Sequence, residues 1–389
     1  MNICFLSRDY PPKMIGGVGT YTYEMAKALI RLGHRAYVIS EAIDREGEFI
    51  EQGIWVNRIK PAELPFPFFL KDGLKSAIER LEYSYAVSKT LRRMIKRYKI
   101  DIVESCEARS EGFWYFLLNK RPPLVVRLHT PEGVVSKLNR DPQTRQRWLI
   151  ERLEEWWLQR ANRLSAPTKA IITLVRRYYY LDSEDIPVTP NPLNIDLFKP
   201  KPGLKNNFNV LYAGRLEFRK GVHVLIRAVP HVLKEIPQAK FIFVGDDCGM
   251  KTYLLAKVKQ LKLEDSVEFS TQMPRDKLIE RYHESTLCVV PSLWENHPYS
   301  VLEPLACAKP VIASNVGGIG EIIEHQINGI LIPPGSVTSL AQAIVGVLND
   351  VSLRERLSHN ARRYIEQEYA PAKLANQNLE IYQGLLNRA

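Results

Sequence analysis

Apolar residues gather in short runs along this chain. Between the runs lie stretches whose apolar positions recur every three or four residues. Ile3 to Leu6, Ala36 to Ile39, Ile100 to Glu104 and Leu124 to Leu128 are such runs, and each predicts a short buried strand. Tyr21, Met25, Ala28, Leu29 and Leu32 recur at helical spacing ahead of Gly33, so the first two strands enclose a helix. The pattern then restarts. Phe208 to Tyr212, Lys240 to Val244, Val267 to Phe269, Leu287 to Val290, Pro310 to Ala313 and Ile330 to Ile332 predict a second series of strands with helices between. Alternating strands and helices predict an α/β protein with parallel sheets. The Pro/Gly-rich segment Lys199–Gly203 separates the series, which places one domain over residues 1–200 and another over 204–365.

Charged and polar side chains at the ends of these strands carry the candidate chemistry. The strand ending at Val290 runs into Pro291 and Ser292, then into a loop with Glu295. An apolar segment from Val301 to Ala308 predicts a helix with Glu303 in its first turn. Two readings of these carboxylates stand side by side. Ser300-Val-Leu-Glu303 fits a capping box, with Glu295 a solvated loop charge. Alternatively, both face a ligand at the carboxyl ends of the strands. Two glycine-containing turns lead into helices: Gly16-Gly17-Val-Gly19, and Ala213-Gly214-Arg215 with Arg219-Lys220-Gly221. Such turns hold phosphates, and the second carries three cations, Arg215, Arg219 and Lys220: arginine offers a planar fork and lysine a point charge. His129 follows the strand ending at Leu128, a position suited to chemistry and equally to a structural bond.

Composition narrows the classes. The chain has 389 residues, 45% hydrophobic and 25% charged, enough for two cores. No apolar run is long enough to cross a bilayer, and Met1–Asp9 lacks the pattern of a signal peptide. The five cysteines show no metal-ligand spacing, which predicts buried thiols in a reducing cytosol. The net charge of +11 suits an anionic substrate or membrane face, and no nucleic-acid module is visible. Aromatic residues at 65–70 precede a helical stretch ending in Lys89, Arg92, Arg93, Lys96, Arg97 and Lys99. That stretch is either a solvated helix face or a surface resting on anionic headgroups at the inner membrane face.

The seven-residue gap from Glu295 to Glu303, set between Pro291-Ser-Leu-Trp294 and Ala306-Cys-Ala-Lys-Pro-Val-Ile-Ala-Ser314, resembles the signature of retaining glycosyltransferase family 4. The turn Gly214-Arg215-Leu216 with Lys220-Gly221 resembles the family's diphosphate turn, and Pro190-Asn191 with Asp196 and Phe198 resembles another of its elements. The resemblance implies the GT-B architecture: two facing Rossmann-like domains with parallel sheets and a deep interdomain cleft, the C-terminal helix (about 366–389) returning to the first domain. It implies a nucleotide sugar as co-substrate, with Arg215, Lys220 and the Gly17 turn on its diphosphate and Glu303 on its ribose. His129 and Glu295 would lie at the sugar and act in catalysis. Asn296, His297, Pro298, Tyr299 and Ser300 form the loop beside the sugar, where the family often has Glu-Gly-Phe-Gly, so this chain departs there. Arg219 falls outside the motif and is expected at the surface. UDP-glucose is the first choice of donor by family frequency, the acceptor being a saccharide or a lipid-linked intermediate in polysaccharide assembly. No metal is expected. A glycoside hydrolase with paired carboxylates, and a non-catalytic nucleotide-sugar-binding subunit, are the competing readings.

Overall fold

The computed structural model describes residues 1–12, 16–64, 68–118, 122–181, 185–201 and 207–387, with backbone alone over 68–72. The aromatic segment at 65–70 therefore falls largely outside the described residues, as does part of each of the Gly16-Gly17 turn's approach and the Lys199–Gly203 connector. The chain forms two compact units, Met1–Pro192 with Pro371–Ala389, and Leu193–Ala370.

The first unit is built on seven strands: β1 (Asn2–Leu6), β2 (Arg35–Glu41), β3 (Gly47–Glu51), β4 (Ile54–Ile59), β5 (Ile102–Cys106), β6 (Leu124–Arg127) and β7 (Arg163–Ser165). Their order is β3-β4-β2-β1-β5-β6-β7, all parallel except the β3–β4 pair. Strand β3 has no apolar run to announce it; it is an edge strand whose Ile50 is exposed. Ile3, Phe5, Val38 and Ile102 from the sheet pack with Met25 and Leu29 of helix Gly17–Arg31 and with Leu379 and Tyr382 of helix Pro371–Leu386. The C-terminal helical stretch divides in two. Helix Val351–Glu368 stays in the second unit, and only Pro371–Leu386 joins the first.

The second unit holds β8 (Asn209–Ala213), β9 (Lys240–Val244), β10 (Val267–Ser270), β11 (Leu287–Val290), β12 (Val311–Ser314) and β13 (Ile330–Ile332). The order β10-β9-β8-β11-β12-β13 is wholly parallel. Phe241, Phe243, Val289 and Ile312 form its core with Val222, Leu225 and Val229 of helix Val222–Glu235. In each sheet the winding direction reverses between two neighbouring strands, β1 and β5 in one, β8 and β11 in the other. Loops leave such a pair on opposite faces, which opens a crevice at its carboxyl end.

Lys89, Arg92, Arg93, Lys96, Arg97 and Lys99 are exposed along and just after helix Phe68–Tyr98, while Tyr83, Val87 and Leu91 of the same helix are buried. The basic run thus forms the exposed face of a helix whose other face is buried and apolar. Among the described residues no helix is long and apolar enough to cross a membrane. Cys4, Cys106, Cys288 and Cys307 are buried free thiols, and Cys248 is exposed.

Candidate active site

At the crevice of the second sheet, the loop after β8 meets the loop after β11. The first loop closes as a single 3-10 turn, Phe218–Lys220, before helix Val222–Glu235. Gly221 joins them at φ +68, and a Cβ there would sit 1.9 Å from the carbonyl oxygen of Pro291. Only glycine permits that approach. It brings the Lys220 ammonium to 2.6 Å from Glu295 Oε1, which also accepts the Ser292 hydroxyl at 2.8 Å. Arg219 donates to the Trp294 carbonyl at 3.2 Å and lies 3.5 Å from Glu295 Oε2. Glu217 bridges Arg219, at 2.7 Å, and Arg215, at 3.2 Å. Three cations and two carboxylates therefore form one network with a net positive charge.

Arg219 is not a surface residue. Its side chain is only 6% exposed, because the tight 3-10 turn folds it beneath the Glu295 loop. Arg215 is the outermost member, 41% exposed. Glu295 is buried rather than solvated. Burial alone would raise its carboxyl, but Lys220, Arg219 and the Ser292 hydroxyl overcome this and hold it below the usual range. Burial lowers the Lys220 ammonium, opposed by Glu295 and reinforced by Arg219 and Arg215. From the other side, Gly317 stands at φ +50, where a Cβ would lie 1.9 Å from the Glu295 carbonyl oxygen; the Gly318 N–H donates to that oxygen at 3.0 Å.

Glu303 lies in the second turn of helix Tyr299–Ala306, not in the first. The cap is Pro298, which has no side-chain bond to the helix, so the capping box read from Ser300 and Glu303 is not formed. Glu303 Oε2 instead accepts the Tyr282 hydroxyl at 2.9 Å. Asn296, His297, Pro298 and Tyr299 are buried and Ser300 is half-buried, with the His297 ring packed 5.5 Å from that of Tyr369. The loop is thus a packed part of the unit.

Gly17 and His129 belong to the first unit. Gly17 opens helix Gly17–Arg31, whose Tyr21 meets the His129 ring edge-on at 5.3 Å. The His129 backbone N–H donates to Glu107 Oε2 at 2.7 Å. Glu107 is fully buried at the end of β5, and Cys106 Sγ lies 3.2 Å from the same oxygen. Beyond His129, the Glu132 and Gly133 N–H groups, which begin helix Glu132–Leu138, donate to the buried Glu154 carboxylate at 2.9 and 3.1 Å. Arg127, also fully buried, donates to Thr189 and Asn191 and lies 4.0 Å over the Tyr21 ring. The sequence singled out none of Glu107, Glu154 and Arg127. A carboxylate closing β5 beside the reversal of winding was the available signal for Glu107.

Burial pushes the Glu107 carboxyl from an ordinary 4.5 up to about 7, against the pull of the His129 N–H. Its stabilising effect is full below the unfolded value and is lost as pH rises through the folded one. Wild type should therefore lose thermal stability relative to Glu107→Gln between pH 5 and pH 8, by on the order of a few degrees. A difference in melting temperature that stays constant over that range would refute the assignment.

Two family models match the chain, Glycosyl transferases group 1 over residues 194–364 and Glycosyltransferase Family 4 over residues 15–197. The chain belongs to the group 1/family 4 glycosyltransferases. It is 27% identical to an uncharacterized glycosyltransferase of Methanocaldococcus jannaschii, with 98% of each chain covered. It is 24% identical to a glycogen synthase of Mycobacterium tuberculosis, covering 98% of this chain and 94% of that one. Among solved structures, sucrose-phosphate synthase from Thermosynechococcus elongatus matches with a TM-score of 0.83 over 100% of both chains at 21% identity. HepE of Anabaena in complex with UDP-glucose matches with a TM-score of 0.75 over 99% of this chain and 100% of that one, at 22% identity. At these identities the structures speak to fold, and the fold of this glycosyltransferase is GT-B: two α/β units with Rossmann-like parallel sheets.

Proposed function

We propose that this glycosyltransferase moves a hexosyl unit from a nucleoside-diphosphate sugar to a saccharide or lipid-linked acceptor with retention of configuration. The observation that carries the reading is the convergence of Arg215, Arg219 and Lys220 at the reversal point of the second sheet, beside Glu295. A diphosphate leaving group gains negative charge as its bond to the sugar breaks, and fixed cations stabilise that charge. Arg215 and Lys220 hold the diphosphate, and Glu303 holds the ribose. Asn296 to Ser300 shape the sugar subsite. UDP-glucose is the preferred donor; HepE, a fold neighbour, was solved with it. Hydrolysis of a glycoside has no use for a cation cluster of this kind, which disfavours the hydrolase reading. Incubation with a panel of nucleotide sugars tests the proposal. Slow release of a nucleoside diphosphate from one of them supports it; release from none supports a non-catalytic binding subunit instead.

In the proposed reaction the bond between the anomeric carbon and the diphosphate oxygen breaks, and the acceptor oxygen bonds to the same face. The departing phosphate oxygen takes the acceptor's proton. Glu295 either stabilises positive charge at the anomeric carbon or attacks it as a nucleophile, and both routes retain configuration. NMR of the first product from an α-linked glucosyl donor should show the small anomeric coupling of an α-glucoside. A β-linked product would overturn this mechanism.

The same three cations supply the electrostatic work that a divalent metal performs in other transferases. Turnover should accordingly persist in EDTA. Loss of activity in the chelator with recovery on adding Mg²⁺ or Mn²⁺ would contradict this.

A further inference from the structure

Arg219 lies beneath the Glu295 loop and makes no contact in the transfer step described above. Its carbonyl oxygen accepts the Leu293 N–H at 2.8 Å, and its Nη1 donates to the Trp294 carbonyl at 3.2 Å. Both ends of the residue therefore hold the segment that delivers Glu295. Glu217 keeps Nη2 at 2.7 Å. The buried fork is fixed between two carboxylates.

The two oxygens of Glu295 are unequally served. Oε1 takes the Lys220 ammonium at 2.6 Å and the Ser292 hydroxyl at 2.8 Å, while Oε2 lies 3.5 Å from Arg219 Nη1. A charge-assisted bond between nitrogen and oxygen closes to about 2.8 Å, so the Arg219 contact has room to tighten. A diphosphate on Lys220 would upset this balance. It carries more charge than one carboxylate and competes for the same ammonium. It also brings negative charge near Glu295, and a like charge favours the protonated carboxyl. A protonated Glu295 could neither stabilise positive charge at the anomeric carbon nor attack it. Arg219, tied to Glu217 and to Trp294, is the cation that stays.

The other groups around Glu295 do not replace it. Tyr212 of β8 donates its hydroxyl to the Arg215 carbonyl at 2.7 Å, and burial pushes its phenol well above the usual range, so it stays neutral. Glu217 adds negative charge, and Arg215 is paired with it at 3.2 Å. Ser292 is neutral, and His297 of the same loop packs on Tyr369. The Gly317–Gly318 turn meets the Glu295 backbone.

We propose that Arg219 is a positioning residue that takes over the Glu295 carboxylate when Lys220 turns to the donor diphosphate, keeping it charged and aimed. The role rests on the transferase reading above. UDP release from UDP-glucose by the full chain, followed from about pH 5 to pH 8, tests it. The acid limb of kcat reports the donor complex, and that of kcat/KM the free enzyme. Arg219→Gln keeps amide donors for the Trp294 carbonyl and Glu217 but removes the charge. In that variant the acid limb of kcat should rise by about one pH unit or more. The limb of kcat/KM should rise by less, because Lys220 still serves Glu295 in the free enzyme. Arg219→Lys restores the charge and should bring the limb of kcat back towards wild type. A residue that only ties the loop in place would lower the melting temperature and leave both limbs where they are. That result, or a shift that Arg219→Lys does not reverse, overturns the proposal.

A complex of the wild-type protein with UDP tests the same role without a variant. The distance from Arg219 Nη1 to Glu295 Oε2 should close from 3.5 Å to about 2.8 Å as Lys220 Nζ moves off Oε1. Diphosphate bound with both distances unchanged overturns the proposal. Failure of the donor reading shows separately, as no UDP released from UDP-glucose by the wild type while bound UDP still closes the Arg219 contact.

Discussion

Lys220→Ala should lower turnover by roughly 10²–10³-fold while the protein remains folded. The Lys220 ammonium is the cation in closest contact with Glu295, at 2.6 Å, and its side chain is only 15% exposed, so solvent screens it weakly. Removing it takes away charge where the leaving diphosphate is proposed to develop its own. Glu295 keeps the Ser292 hydroxyl and nearby Arg219, so the buried carboxylate is not abandoned. A modest fall in melting temperature should accompany the fall in rate. Arg215→Ala should act in the same direction, and less strongly, because Arg215 is more open to water. Near-normal turnover in folded Lys220→Ala would remove the diphosphate assignment.

Glu303→Gln should raise the dissociation constant for the nucleotide by roughly 10–100-fold, the range expected when a hydrogen bond to a charged group is lost. The melting temperature should hardly move. The glutamine oxygen can still accept the Tyr282 hydroxyl that Glu303 Oε2 accepts at 2.9 Å, and no capping bond is lost because the helix begins at Pro298 without one. Calorimetric titration with UDP alongside thermal unfolding separates the outcomes. A lower melting temperature with unchanged affinity would make Glu303 a structural residue.

The sequence announces most strands of both sheets because parallel strands are buried on both faces and read as unbroken apolar runs. Strand β3 escapes that logic as a half-exposed edge strand, and helices Val351–Glu368 and Pro371–Leu386 merge because their patterns follow one another with only a short break. At the second crevice, Lys220 and Glu295 are legible as charges beside glycine turns and strand ends. Arg219 is not: exposure of a cation next to a phosphate turn is the usual expectation, and only the fold shows a 3-10 turn burying it between two glutamates. Glu107 and Glu154 are hidden for a similar reason. Each serves backbone N–H groups about twenty residues away in sequence, a relation that local pattern does not encode.

A crystal structure of the protein with UDP bound tests the central claim most directly. The account predicts the diphosphate oxygens within hydrogen-bond distance of the Arg215 guanidinium and the Lys220 ammonium, and the ribose hydroxyls on the Glu303 carboxylate. UDP seated away from all three, with the Lys220–Glu295 pair undisturbed, would contradict it.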